Sequence, residues 1–319
     1  MLAQVKGILE LLPYDCEIKK VVLDTPWKWL PYSLIPSPFS SLTEDSDRLT
    51  VPWPDVVVSC GRRTIPISIA IKQASGGRTR SVYIHDPGMA AKHFDLIVAM
   101  EHDKCTGDNV IKTRYAIHQL THQKLEQAAN RFVDKFSRYE TPLIAVLIGG
   151  STNRYKITTE GMEKLLDKLE QFIVATHGSL LITPSRRTGT ENIALLKERF
   201  SNIPNQVYIY DPDSEERNPY MAMLALADYI VVTNDSVNMM TEACFTGKPV
   251  YILDLPEHYN TKPARFANKL LHDGTVREFD QSLDHWEYAI PDERPQIVSR
   301  IVDMVNRMNI PHPSNVQVL

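Results

Sequence analysis

From residue 143 onward the chain alternates short, unbroken apolar runs with helix-period segments, and this alternation restricts the fold more than anything else in the sequence. Residues 143–149 read Leu-Ile-Ala-Val-Leu-Ile-Gly, apolar up to a terminal glycine. A run of that kind suits a strand buried on both faces, as strands of parallel sheets are. The segment after it sets Met162, Leu165, Leu166, Leu169, Phe172 and Ile173 three and four residues apart, which lines one face of a helix. The pattern repeats as a strand at 179–184, a helix at 191–200 and a strand at 206–211. Asn218-Pro219 opens the next helix, since Asn is a favoured N-cap and Pro suits the first helical position. A strand at 229–233, a helix at 236–245 and a strand at 249–254 complete the series. Such alternation requires right-handed crossovers and a parallel sheet. The expected class is α/β.

The first half is less regular. Residues 19–24, 55–60, 80–85 and 94–100 read as buried strands, with a helix at 64–74 between two of them. Residues 25–54 are rich in Pro, Ser, Trp and Tyr and are expected to form a long, partly ordered loop, a type that is often functional. A helix with Leu125, Ala129, Phe132 and Phe136 on one face leads to Thr141-Pro142. That dipeptide is the expected domain boundary, because a residue before proline is pushed out of the helical region. The organisation predicted is an N-terminal α/β lobe over 1–140 and a C-terminal nucleotide-binding α/β lobe over 141–294. A final helix within 295–319, with Ile297, Ile301, Val305 and Met308 on one stripe, is expected to pack back on the N-terminal lobe.

Composition narrows the class of function. Hydrophobic residues make up 43% and charged residues 23% of the 319, the balance of a globular enzyme. A net charge of −4 argues against a nucleic-acid partner. Cys16, Cys60, Cys105 and Cys244 form no C-x-x-C pair, which argues against a zinc site or a disulfide framework and fits a reducing compartment. No metal is expected. The start of the chain lacks the pattern of a secretory signal, and no apolar run approaches the length of a membrane span. The expected location is cytoplasmic, with peripheral contact to a membrane or a protein partner left open.

In an open parallel sheet, ligands bind beyond the carboxyl ends of the strands. The strand at 143–149 ends on Gly149 and is followed by Gly150, Ser151, Thr152 and Asn153, where backbone can approach a phosphate closely. After 179–184 come Ser185, Arg186, Arg187 and Thr188, and an arginine fork matches phosphate oxygens. After 229–233 come Asn234, Asp235 and Ser236 at a helix N-terminus, a natural anion site. Glu242 follows roughly two turns further in, where a carboxylate can accept from ribose hydroxyls. There is no G-x-G-x-x-G and no G-x-x-x-x-G-K-[ST], which disfavours an ordinary dinucleotide dehydrogenase or a P-loop NTPase. In the first half, His85 and Asp86 end one strand and Glu101, His102 and Asp103 end another. Of these, His85, Asp86, His102 and Asp103 are the candidate acid–base groups.

Several segments carry a resemblance. SCGRRTIPISIAI (59–71), FDLIVAMEHD (94–103), GDNVIKTRYAIH (107–118), SRRT (185–188) and NPYMAMLALADYIVVTNDSVNMMTEACFTGKPVYIL (218–253) resemble the mitochondrial-fission "elongated mitochondria" family of plants and its bacterial relatives. That family is in turn similar to GT-B glycosyltransferases, which implies two Rossmann-like lobes in a GT-B-like arrangement facing each other across a cleft. By the pattern of the peptidoglycan N-acetylglucosaminyltransferase type, the resemblance implies that Glu242 holds the donor ribose. It places the Gly149-Gly150 turn and Ser236 at the donor phosphates. Members of the family usually open with a strand and a glycine-containing turn, both absent here, so the first strand of the N-lobe is expected to be missing. Two outcomes are open: a chain truncated upstream, which is favoured, or a rebuilt sheet.

The function expected is therefore a GT-B glycosyltransferase that takes a nucleoside-diphosphate sugar as donor substrate and needs no separate cofactor. Arg186, Ser185, Ser236 and the Gly150 turn would hold the diphosphate. The acceptor, like the oligomeric state, is not specified. A nucleotide-sugar epimerase is the alternative enzyme, and a non-catalytic scaffold that keeps the fold is the other reading.

Overall fold

The computed structural model of the chain describes residues 2–152, 156–255, 261–280, 282–307 and 315–319. It divides into two compact units, Met1–Gln119 with Asp292–Leu319, and Leu120–Pro291. In chain order the first unit opens with α1 (Leu2–Leu9), β1 (Cys16–Ile18), β2 (Val56–Cys60), α2 (Ile65–Ala74), β3 (Arg80–Ile84), β4 (Leu96–Met100) and β5 (Val110–Thr113). The second unit begins with α3 (His122–Phe136), β6 (Leu143–Ile148), α4 (Thr159–Thr176), β7 (Ser179–Pro184), α5 (Thr190–Arg199) and β8 (Val207–Ile209). It continues with α6 (Tyr220–Leu226), β9 (Tyr229–Thr233), α7 (Val237–Phe245), β10 (Val250–Leu253), α8 (Lys262–His272) and β11 (Arg277–Glu278). Helix α9 (Arg294–Asn306) and strand β12 (Val316–Val318) then belong to the first unit again.

The sheet of the second unit runs β11-β10-β9-β6-β7-β8, parallel throughout. Every residue of β6 is buried, as its continuous apolar run requires. Helix α4 lays Met162, Leu165, Leu166, Leu169, Phe172 and Ile173 on this sheet, all buried, and Thr158 caps it by accepting from the Gly161 amide. The strand order reverses between β6 and β9, the switch point at which open α/β sheets present a crevice.

The dividing line between the compact units falls at Gln119, not at Thr141-Pro142. Helix α3 therefore sides with the second unit. Its Phe136 is 1% exposed and meets the Tyr208 ring edge-on at 5.3 Å.

The sheet of the first unit runs β1-β12-β2-β3-β4-β5, also parallel. The expected strand at 19–24 is instead the shorter β1 just upstream. The slot beside β2 is filled from the far end of the chain, Val316 and Val318 pairing with Val56 and Val58 on one side and Cys16 and Ile18 on the other. This sheet has been assembled from segments about 300 residues apart. Helix α9 buries Ile297, Ile301 and Val305 in the same core as β2 and β12, while Met308 lies outside the described residues. The long loop at 25–54 is packed: Trp27, Ile35, Phe39 and Trp53 cover Val57, Ile67 and Ile71.

Candidate functional site

Three strand ends of the second unit converge. After β6 the chain turns at Gly149-Gly150 because nothing larger fits. A Cβ on Gly149 would stand 2.0 Å from both carboxylate oxygens of Asp235, and one on Gly150 would stand 2.1 Å from the Arg187 backbone. After β9, Asp235 turns inward with its side chain wholly buried and accepts from the Gly150 amide (2.9 Å) and the Thr233 hydroxyl (2.6 Å). After β7, Arg187 reaches the same carboxylate at 3.4 Å, and its carbonyl accepts from the Ser151 amide at 2.8 Å. The Thr188 hydroxyl donates to the Gly149 carbonyl at 2.5 Å. A buried carboxylate is tolerated when it is paired and hydrogen-bonded, and Asp235 has both kinds of partner.

A cavity of about 430 Å³ lies at the carboxyl ends of β6 and β7. Its lining includes the polar and basic Ser185, Arg186 and Arg187 together with the aromatic and apolar Tyr210, Pro212, Tyr220 and Met239. Ser185 Oγ accepts from the Arg187 amide, which fixes the turn that carries both guanidiniums. Arg186 is exposed and, among the described residues, has no ion-pair partner. Glu242 reaches the cavity through Tyr220, whose hydroxyl donates to Glu242 Oε2 at 2.6 Å. Burial raises the Glu242 carboxyl above the usual glutamate range, with the Tyr220 hydrogen bond opposing the rise. The Tyr220 hydroxyl is pushed well above its ordinary value by burial and by that same carboxylate.

The remaining second-unit candidates are held by their own structure. Ser236 caps α7 by accepting from the Met239 amide. Asn234 bonds Asp254 at 2.6 Å and accepts from the Leu255 amide, which fastens β9 to β10. Ser151 Oγ accepts from the Ile157 amide at 3.1 Å. Asn218 accepts from the Tyr220 amide at 2.9 Å, so it supports the start of α6 with Pro219 as the flanking residue.

In the first unit, His85 has φ +91°, strained for a side chain with a Cβ, and its Nε2 lies 2.7 Å from Gln4 Oε1. Asp86 accepts from the Gly88, Lys104 and Cys105 amides, tying the loop after β3 to the loop after β4. Asp103 accepts from the Met100 amide, and His102 Nε2 stands 3.7 Å from Asp103 Oδ1. Asp86, His102 and Asp103 thus share neighbouring loops, while His85 turns to α1.

Sequence reasoning did not single out Tyr220 or the central part played by Asp235. A carboxylate directly after a buried strand, facing a Gly-Gly turn, was the available signal for Asp235. Nothing local marks Tyr220, which opens an otherwise apolar helix.

A family model described as mitochondrial fission ELM1 matches residues 1–305, and the chain belongs to that family. It is 30% identical over 274 residues to the mitochondrial fission protein ELM1 of Arabidopsis thaliana, covering 78% of this chain and 63% of the plant protein. It therefore spans less than two thirds of that relative. An uncharacterized protein of Rickettsia prowazekii is 28% identical over 292 residues, 80% of this chain and 81% of that one. Among solved structures, a UDP-GlcNAc 2-epimerase from Methanocaldococcus jannaschii aligns with a TM-score of 0.56 at 12% identity, covering 80% of this chain and 77% of its own. That likeness shows the fold class, Rossmann-like α/β lobes of the GT-B kind. Among the described residues, no helix is long and apolar enough to cross a membrane.

Proposed function

We propose that this member of the mitochondrial fission ELM1 family binds a nucleoside-diphosphate sugar in the cavity of its second unit, as the donor of a glycosyl transfer. The observation that carries the reading is the mixed lining of that cavity, basic residues together with aromatic and apolar ones. Guanidiniums of Arg186 and Arg187 match a diphosphate, since their planar forks donate to phosphate oxygens in pairs. Tyr210, Pro212 and Met239 in the same lining offer aromatic and apolar surface for a base. The Tyr220–Glu242 pair supplies hydroxyl-recognising groups at the same cavity.

A thermal-shift panel of UDP, GDP, ADP, CDP and their sugars tests the binding. A ligand at one hundred times its Kd adds about 2.7 kcal/mol to stability, so one nucleotide series should raise the melting temperature clearly above the others. No shift with any member at millimolar concentration would remove the reading. With a binder in hand, release of free nucleoside diphosphate marks transfer. Interconversion of the sugar with the diphosphate retained would mark an epimerase instead.

A further inference from the structure

The backbone amides beside the second-unit cavity are already spent. Those of Gly149, Gly150 and Ser151 donate to Thr233 Oγ1, the Asp235 carboxylate and the Arg187 carbonyl. Those of Ser185, Arg187 and Thr188 donate to the Ile148 carbonyl, Ser185 Oγ and the Ser185 carbonyl. An anion in this cavity is therefore met mainly by side chains. The charged residues of its lining, among those described, are Arg186 and Arg187.

The two arginines are not equivalent. Arg186 is exposed and, among the described residues, has no ion-pair partner. Arg187 lies 3.4 Å from Asp235 Oδ2, its side chain 46% exposed and that of the aspartate 0%. Such a distance is long for a charge-assisted bond, so charge more than geometry holds the guanidinium there. The aspartate itself is fixed, at 2.9 Å from the Gly150 amide and 2.6 Å from the Thr233 hydroxyl. Of the other acids nearby, Asp211 is answered by Lys197 at 2.6 Å, Glu216 by Lys135, and Glu242 by the Tyr220 hydroxyl. Asp235 is the acid among these whose cation lines the cavity.

We propose that Asp235 is a specificity-determining counter-charge, which shares Arg187 with an anionic ligand and so limits how much negative charge the cavity accepts. The inference rests on the reading of this cavity as a diphosphate site. An arriving phosphate competes for Arg187 with a carboxylate that cannot leave, and that carboxylate repels it. Arg186 matches the first charges of the ligand, and each further one meets a cation already half neutralised. A diphosphate diester, as in a nucleotide sugar, fits that balance. A longer polyphosphate chain exceeds it.

Calorimetry of the full chain with inorganic pyrophosphate and tripolyphosphate, without divalent cations, reads the effect independently of any base or sugar. Asp235→Asn removes the charge and keeps the shape. Its amide oxygen can still accept from Gly150, and its NH2 can donate to Thr233 Oγ1, whose proton then turns to the Leu147 carbonyl 3.4 Å away. This chain should bind pyrophosphate about tenfold more tightly than the parent, with a steeper salt dependence. Arg187→Ala should weaken binding about tenfold, and Arg187→Ala/Asp235→Asn should return close to the parent. Opposite signs that cancel identify a shared charge, since a merely structural loss moves every variant the same way. In the parent, tripolyphosphate should bind no more tightly than pyrophosphate, whereas in Asp235→Asn it should bind more tightly. The double variant leaves no buried charge unpaired and the chain-length comparison uses the parent, so both hold if a single variant folds poorly. The inference is overturned if Asp235→Asn binds pyrophosphate no better than the parent, or if the double variant binds as weakly as Arg187→Ala. Absence of pyrophosphate binding by both the parent and Asp235→Asn overturns it equally. Pyrophosphate binding strengthened in this way, with no nucleotide stabilising the protein, would uphold the counter-charge and remove the donor reading alone.

Discussion

The Asp235 carboxylate accepts a hydrogen bond from the Gly150 amide at 2.9 Å, joining two strand ends that lie 85 residues apart in the chain. Together with the Thr233 hydroxyl and Arg187, it sets the geometry of all three loops around the second-unit cavity. Each buried donor left unsatisfied costs about 1–3 kcal/mol, so Asp235→Ala should destabilise the second unit by about 2–4 kcal/mol. Urea denaturation measures this, and a loss near zero would show that the loops hold without the carboxylate. Gly149→Ala should be more damaging still, since its methyl has no room beside Asp235.

Glu242 predicts a pH dependence. Burial raises its folded carboxyl pKa above the ordinary 4.5, so the folded state binds this proton more tightly than the unfolded one. Stability from this group is therefore highest below about pH 4.5 and falls as pH rises toward the folded value. Glu242→Gln, which can still accept from Tyr220, should melt higher than the parent at neutral pH. That gain should shrink as the buffer approaches pH 4.5. A gain that stays constant across the range would refute the assignment.

Lys248 behaves in the opposite sense. Its ammonium donates to the carbonyls of Leu224, Ala225 and Ala227 at the end of α6, and burial lowers its pKa from 10.5 to about 8. Between those values the unfolded chain holds the proton and the folded chain releases it, so stability contributed by this group rises with pH. Melting temperatures of the parent and of Lys248→Met, compared across pH 8 to 10.5, should diverge in that direction.

Arg186 and Arg187 divide binding from stability. Arg186→Ala touches an exposed side chain and should change stability by no more than about 0.5 kcal/mol. Calorimetry should find nucleoside-diphosphate affinity about tenfold or more weaker, as expected when a charged hydrogen-bond partner is removed. Unchanged affinity would take the diphosphate away from this wall.

Strand β12 carries a structural prediction. Val318 is fully buried between β1 and β2, so Val318→Asp places a charge where it has no partner and should cost on the order of 3 kcal/mol or more. Hydrogen exchange should show protection lost in β1 and β2 while β6 keeps its own.

Both lobes and most of their elements were legible because they are local. A six-residue unbroken apolar run such as 143–148, ended by glycines, suits a buried strand, and the stripe from Met162 to Ile173 suits a helix lying on a sheet. The glycines at 149 and 150 and the polar strand ends were legible for the same reason. The three-residue β12 was not, since Val-Gln-Val carries no periodicity of its own and gains its place only from two partners at the other end of the chain. The side taken by α3 was hidden because its apolar face fits any sheet, and long-range contacts such as Phe136 with Tyr208 and His122 with Phe245 assign it.

The amino-acid order alone thus determined most of the strands and helices and which polar residues stand at strand ends, because apolar periodicity acts over a few residues. Tertiary structure alone decided that Asp235 serves Gly150, that Tyr220 stands between Glu242 and the cavity, and that Val316–Val318 completes the first sheet. Each of those is a contact over a separation of 20 residues or more, and such pairings are selected by the whole core.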